Sequence, residues 1–306
     1  MSAPPSSYEH PGSPPARPEL PEGIERPPLE PAVADAPPPP EETPAWPLWA
    51  PFAALLLALF GAIIGATFIA LGVRLAGVDF AEGSEPPGVR IGGSFVQDFA
   101  LIASALVIAR YTARPAAWQF GLRRVPWRKA LGQLVVVWVG FYAFSAVWAA
   151  ALGIRENSGL PDELGTDRSD LALAVVTVFA CVVAPIAEEF FFRGFCYGAL
   201  RRTLGVWGGA ALTGAIFGAI HAGGTDSEFL VPLAVFGFGL CLLYQWSGSL
   251  LPCFVLHSLN NCLAVGVSQG WSWEIPLLMI GSVAAVLALT LPFTRARRRT
   301  DPAVAT

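Results

Sequence analysis

Apolar runs of bilayer-crossing length dominate the chain after residue 47. Eight can be drawn, at about 48–73, 95–110, 131–153, 171–195, 205–222, 229–246, 250–268 and 274–293. A hydrocarbon core of roughly 30 Å takes about 20 apolar residues as an α-helix. Charged residues make up 14% of the 306, against about 25% in soluble domains, too few to cover a water-facing surface. The fold class read from this is all-α: a polytopic membrane protein of about eight transmembrane helices. The second run is the shortest and carries Asp98 near one end, where the reading sends the carboxylate to the interface.

Three regions follow from composition. Residues 1–47 hold eight acids against Arg17 and Arg26, and 16 of the 28 prolines, including the run Pro37 to Pro40. Such a segment cannot pack a core, so it is read as a disordered tail. With no basic start leading into an apolar stretch, it is not a secretory signal peptide. Residues 48–293 form the membrane domain, and 294–306 a basic C-terminal tail. Basic residues alternate between loops: 13 flank one side, in the loops around Arg123 and Arg201 and in the tail around Arg298, and four the other, among them Arg74 and Arg155. By the positive-inside rule both termini are cytoplasmic in a multi-pass cell-membrane protein. No nucleic-acid partner is implied. Alanine-, arginine- and proline-rich usage points to a GC-rich bacterium.

The five cysteines (Cys181, Cys196, Cys241, Cys253, Cys262) fall in or beside apolar runs without CxxC spacing, and are read as small buried hydrophobes. Glycines recur at four-residue spacing, as in Gly61/Gly65 and Gly214/Gly218, the pattern that lets membrane helices approach closely.

Against this background a few polar side chains are out of place. Glu188 and Glu189 lie in one apolar run, His221 ends a second, and His257 with Asn261 lies in a third. Ionisable groups within membrane spans are costly and mark functional sites. Glu189 and Arg193 are four apart and can pair along one helix face, which leaves Glu188, turned about 100° away, to face a cavity. Pro185 lacks an N–H and is expected to kink the helix one turn earlier. Phe217 shares a face with His221, and His257 with Asn261. Titratable and hydrogen-bonding groups from three helices make a convergent site of hydrolytic type.

The sequence Glu188-Glu189-Phe190-Phe191-Phe192-Arg193, the pair Phe217 and His221, and the pair His257 and Asn261 together resemble the EExxxR, FxxxH and HxxxN motifs of the CPBP family. These are the CAAX-type and bacteriocin-processing membrane endopeptidases, and the resemblance covers roughly 171–268. It implies an eight-helix fold that cuts peptide bonds of membrane-associated or lipidated substrates. Carried over, Glu188 and His221 activate a water, His257 and Asn261 stabilise the oxyanion, and Glu189, Arg193 and Phe217 support them. The partners are then the bilayer and a membrane protein or peptide substrate.

Two alternatives share these residues. Glu188, His221 and His257 are also a donor set for a catalytic zinc, although HExxH is absent; the reading adopted requires no metal or other cofactor. A scaffold, immunity factor or proton-coupled carrier retaining the motif also accounts for buried acids and histidines.

Overall fold

The structure, a computed structural model, describes residues 46–81, 84–112, 115–154, 169–222 and 224–294. The expected disordered tail, the loop 155–168 and the basic C-terminal segment lie outside the described residues. Those described are helical and carry no β-strand. Seven helices are long and apolar enough to cross a membrane: α1 (Ala50–Leu75), α2 (Pro87–Thr112), α3 (Trp127–Leu152), α4 (Asp170–Ala219), α5 (Leu230–Ser247), α6 (Leu251–Ser268) and α7 (Glu274–Thr290). The difference from eight lies in α4. At 50 residues it would extend about 75 Å at 1.5 Å per residue, far beyond one crossing. It breaks at Gly205, whose φ of 71° and ψ of 177° are not helical and fall where glycine carries no Cβ penalty. The fourth and fifth apolar runs are therefore the two arms of α4.

Two expectations are corrected. The second span is a full helix of 26 residues, not a short one. It starts at Pro87, a residue pre-organised for the first helical turn, and includes the glycine-rich stretch before residue 95. Gly92 and Gly93 there face Ile69 and Ala66 of α1, so the glycines are a packing surface, not a loop. Asp98 is the second correction. It does not reach the interface but is buried, with 3% of its surface exposed, on a helix packed against the α4 segment that carries Glu188.

The helices divide into a lipid-facing periphery and a sequestered centre. In α1 the buried residues are Ala50, Pro51, Ala54 and Ala58, a narrow seam, while Phe60, Ile63 and Phe68 are exposed. A helix apolar on every side yet mostly exposed has lipid as its solvent. Conversely Phe191, Phe192, Phe195, Leu240, Leu251 and Leu256 are fully buried around the middle of α4 and its neighbours α5 and α6. The core also reaches Trp46, one residue inside the segment assigned to the tail. Its ring lies 5.0 Å from both Phe120 and Phe195. All five cysteines are free and buried.

Close approach is concentrated where the second arm of α4 crosses α5. A Cβ on Gly214 would lie 2.5 Å from Ala234 O and 2.7 Å from Phe238 N, and one on Gly218 would lie 2.6 Å from Leu230 O. Backbone atoms cannot swing aside, so the two helices would have to separate. Gly214→Ala is therefore expected to destabilise the protein by about 1–3 kcal/mol, read as a lowered unfolding midpoint in detergent. Gly132→Ala, with nothing within 4 Å of the added carbon, should leave the midpoint unchanged or raised.

Candidate active site

The centre of α4 is unusual before any side chain is considered. The six α-helical residues Ala184–Glu189 lie between two π-helical stretches, Phe179–Val183 and Phe190–Tyr197. Insertions of this kind are rare and cluster at functional sites. Pro185 accounts for the first: it cannot donate to a carbonyl in the preceding turn, so the regular i to i−4 ladder is interrupted. Both glutamates of the motif are displayed on the short α-helical piece between.

Glu189 and Arg193 are fully buried. Arg193 Nη1 donates to Glu189 Oε1 at 2.7 Å, and Nη2 donates to the backbone carbonyl of Gly237 on α5 at 3.1 Å. The guanidinium also stacks over the Phe217 ring, 4.5 Å from its centroid. Gly237 is where this approach requires the absence of a side chain, since a Cβ there would stand 3.0 Å from Phe217 Cβ. A charge removed from water must be paired and hydrogen-bonded, and this one is met on three sides.

The same carboxylate oxygen serves a third helix. His257 Nδ1 lies 2.8 Å from Glu189 Oε1. A carboxylate that already accepts from Arg193 is ionised and can only accept, so His257 Nδ1 carries the proton. The imidazole ring is wedged edge-on between Phe217 and Phe236, at 5.9 and 5.7 Å. Its orientation is fixed by one hydrogen bond and two aromatic walls, and its other nitrogen is directed at Glu188, with Nε2 3.9 Å from Glu188 Oε2. That separation is too long for a direct hydrogen bond and becomes an ion pair only when the ring carries a second proton. Neither Glu188 Oε2 nor Glu189 Oε2 has a hydrogen-bond partner, so the first glutamate of the motif keeps an acceptor free while the second has its Oε1 committed to Arg193 and His257.

His221 sits just beyond the end of α4. Its Nδ1 is 2.7 Å from Phe217 O, and because a carbonyl oxygen only accepts, Nδ1 carries a proton, which in a neutral ring leaves the lone pair on Nε2. The ring lies tilted against Phe217 with centroids 4.9 Å apart, so one phenyl group lies against both histidines and the guanidinium. The arm from Gly205 to Ala219 carries Phe217, whose ring contacts both His221 and His257 and so ties the histidine beyond its end to the cluster.

Asn261 is anchored by its amide, Nδ2 donating to Ala180 O at 2.8 Å, which leaves its second N–H and its oxygen. Asn260, on another side of the helix, accepts from Tyr142 OH at 3.0 Å. Three residues near this cluster were not singled out in the sequence: Phe236, Ser258 and Asp98 as an interior acid. Asp98 is near enough to Glu188 for their charges to interact. Pro185 was the available signal for Ser258, since a missing N–H requires a donor from elsewhere. Phe236 was one phenylalanine among 20.

The zinc alternative needs Glu188, His221 and His257 to converge. Among the described residues no three His, Cys, Asp or Glu side chains converge as metal ligands.

The comparisons with known proteins bear on this segment. No curated protein and no solved structure matches the chain. Residues 170–263 match the family model described as Type II CAAX prenyl endopeptidase Rce1-like. That stretch contains Glu188, Glu189, Arg193, Phe217, His221, His257 and Asn261. The resemblance to CPBP-type membrane endopeptidases, read from the three motifs, is thereby shown for the segment that carries all of them.

Proposed function

We propose that the protein is an intramembrane endopeptidase that hydrolyses peptide bonds of membrane-associated or lipidated substrates without a metal. The observation that carries the reading is the free carboxylate oxygen of the partly accessible Glu188 beside His257 Nε2, while Glu189 is fully buried and its Oε1 is occupied by Arg193 and His257. Glu188 accepts a proton from water as the water oxygen attacks the scissile carbonyl carbon, and His221 Nε2 accepts a hydrogen bond from the same water. The carbonyl oxygen becomes an oxyanion. It receives hydrogen bonds from the second N–H of Asn261 and from His257 Nε2, which donates only when the ring carries its second proton. The carbon–nitrogen bond then breaks and the proton held by Glu188 passes to the leaving amine. No serine or cysteine nucleophile takes part.

The matched family's description names prenylated CAAX substrates, which gives the first probe. Purified protein in liposomes is to be given a prenylated peptide ending in a CAAX sequence. In parallel, mass spectrometry compares peptides from membranes with and without the protein. Glu188→Gln keeps the size and loses the base, so cleavage should fall by about 10²–10⁴ with folding intact. His257→Ala or Asn261→Ala should each lower the rate by about 10²–10³, the cost of one oxyanion donor. One bound zinc per chain, with activity removed by chelation and restored by zinc, overturns the metal-free mechanism. Full activity in Glu188→Gln removes Glu188 as the base.

Both termini are proposed to be cytoplasmic, on the 13-to-4 division of basic residues between alternate loops. Cysteines introduced at Gly159 and at Arg298 separate the orientations when labelled from outside intact cells. Label at position 159 alone is expected; label at 298 alone reverses the orientation.

A further inference from the structure

Pro185 leaves a deficit in the helix that displays Glu188. Its nitrogen has no hydrogen to give, either to Cys181 O four residues back or to Ala180 O five residues back. Both carbonyls are affected, because the chain runs in the π register over Phe179–Val183 and returns to the α register at Ala184. In a water-free interior, backbone acceptors must find other donors.

Both donors come from α6. Ser258 Oγ donates to Cys181 O at 2.6 Å, and Asn261 Nδ2 donates to Ala180 O at 2.8 Å. Ser258 is fully buried and lies directly after His257. The helix that supplies His257 to Glu189 thus also grips the turn immediately before Glu188.

We propose that Ser258 is a positioning residue for Glu188: by taking the carbonyl that Pro185 leaves open, it holds α4 in the bulged register that points Glu188 at His257 Nε2. The inference rests on the reading of Glu188 as the base. Register is the sensitive quantity, because slipping by one residue turns every later side chain by about 100°. Glu188 follows Pro185 by less than one turn, too short a lever to absorb such a rotation. The hydroxyl of Ser258 needs only to donate, so threonine at this position keeps the function and alanine does not. Alanine at position 185 restores an N–H within the helix and makes the external donor redundant.

The test uses full-length protein and the prenylated peptide probe, with Ser258→Ala, Ser258→Thr, Pro185→Ala and the Pro185→Ala/Ser258→Ala double variant. Ser258→Ala is expected to lower kcat at least tenfold with KM within twofold, while Ser258→Thr retains activity. In the Pro185→Ala background the same Ser258→Ala change should alter kcat by less than threefold. A purely structural role would lower the folded fraction and leave kcat per folded molecule unchanged. Wild-type kcat in folded Ser258→Ala, or an equal loss in both backgrounds, overturns the proposal. Hydrogen exchange of the segment 181–189 supplies a readout that does not need cleavage. It should quicken in Ser258→Ala and return to the parental rate in the double variant. If the wild type cleaves nothing, the proteolytic reading fails by itself, and unchanged exchange in Ser258→Ala still overturns the clamp. Should Ser258→Ala fail to fold, the double variant decides: folding and activity there support the clamp, and failure there overturns it.

Discussion

A guanidinium buried in a membrane protein must be neutralised, and the arrangement around Arg193 follows from that requirement. Its charge is met by Glu189 one turn earlier, by the Gly237 carbonyl of α5 and by the face of Phe217. Leaving such a charge without its partner costs about 3–5 kcal/mol. Three segments are thereby held together by one cation: the centre of α4, its second arm and α5. The Glu189 oxygen that takes the charge of Arg193 also fixes His257 on α6. One ion pair therefore assembles the scaffold and sets the tautomer of an imidazole beside Glu188.

Around this point the rest of the fold works by close approach. Gly214 and Gly218 bring the second arm of α4 against the backbone of α5, which carries Phe217 toward Gly237 and His257. Gly194 does the same for the loop after α2, since a Cβ there would lie 2.9 Å from Phe120 O. These glycines occupy the positions where a side chain would push apart the segments that the ion pair draws together. The peripheral helices α1 and α3 contribute few buried residues and present their apolar surfaces to lipid.

Much of this was legible in the sequence because a bilayer leaves few options. Helical spans follow from apolar run length, and the pairing of Glu189 with Arg193 follows from four-residue spacing on a helix. The site residues stood out because each is polar in an apolar run. What escaped depends on contacts between distant segments. That Glu189 also holds His257, 68 positions later, is invisible to spacing. Asp98 was sent to the interface because it lay near one end of a span drawn from residue 95; the helix begins at Pro87, and the carboxylate falls inside it. Residues 196–204 were drawn as a loop between two spans, yet they are helical and one positive φ at Gly205 suffices to separate the arms. Pro185 was expected to kink the helix; at that point the chain adopts the π register and borrows donors from α6.

The central claim is that the buried ion pair holds His257 in its working orientation as well as stabilising the fold. The most direct test replaces both charges with apolar side chains of similar volume, Glu189→Leu with Arg193→Met, and measures unfolding and peptide cleavage on the same preparation. Exchanging a buried pair for packed apolar groups is often neutral or stabilising, so the double variant should unfold near the wild-type midpoint. With Nδ1 of His257 released, cleavage should fall by at least about 10²-fold, the cost of a lost oxyanion donor. A double variant that is stable and fully active would contradict the account, because His257 would then need no carboxylate to orient it.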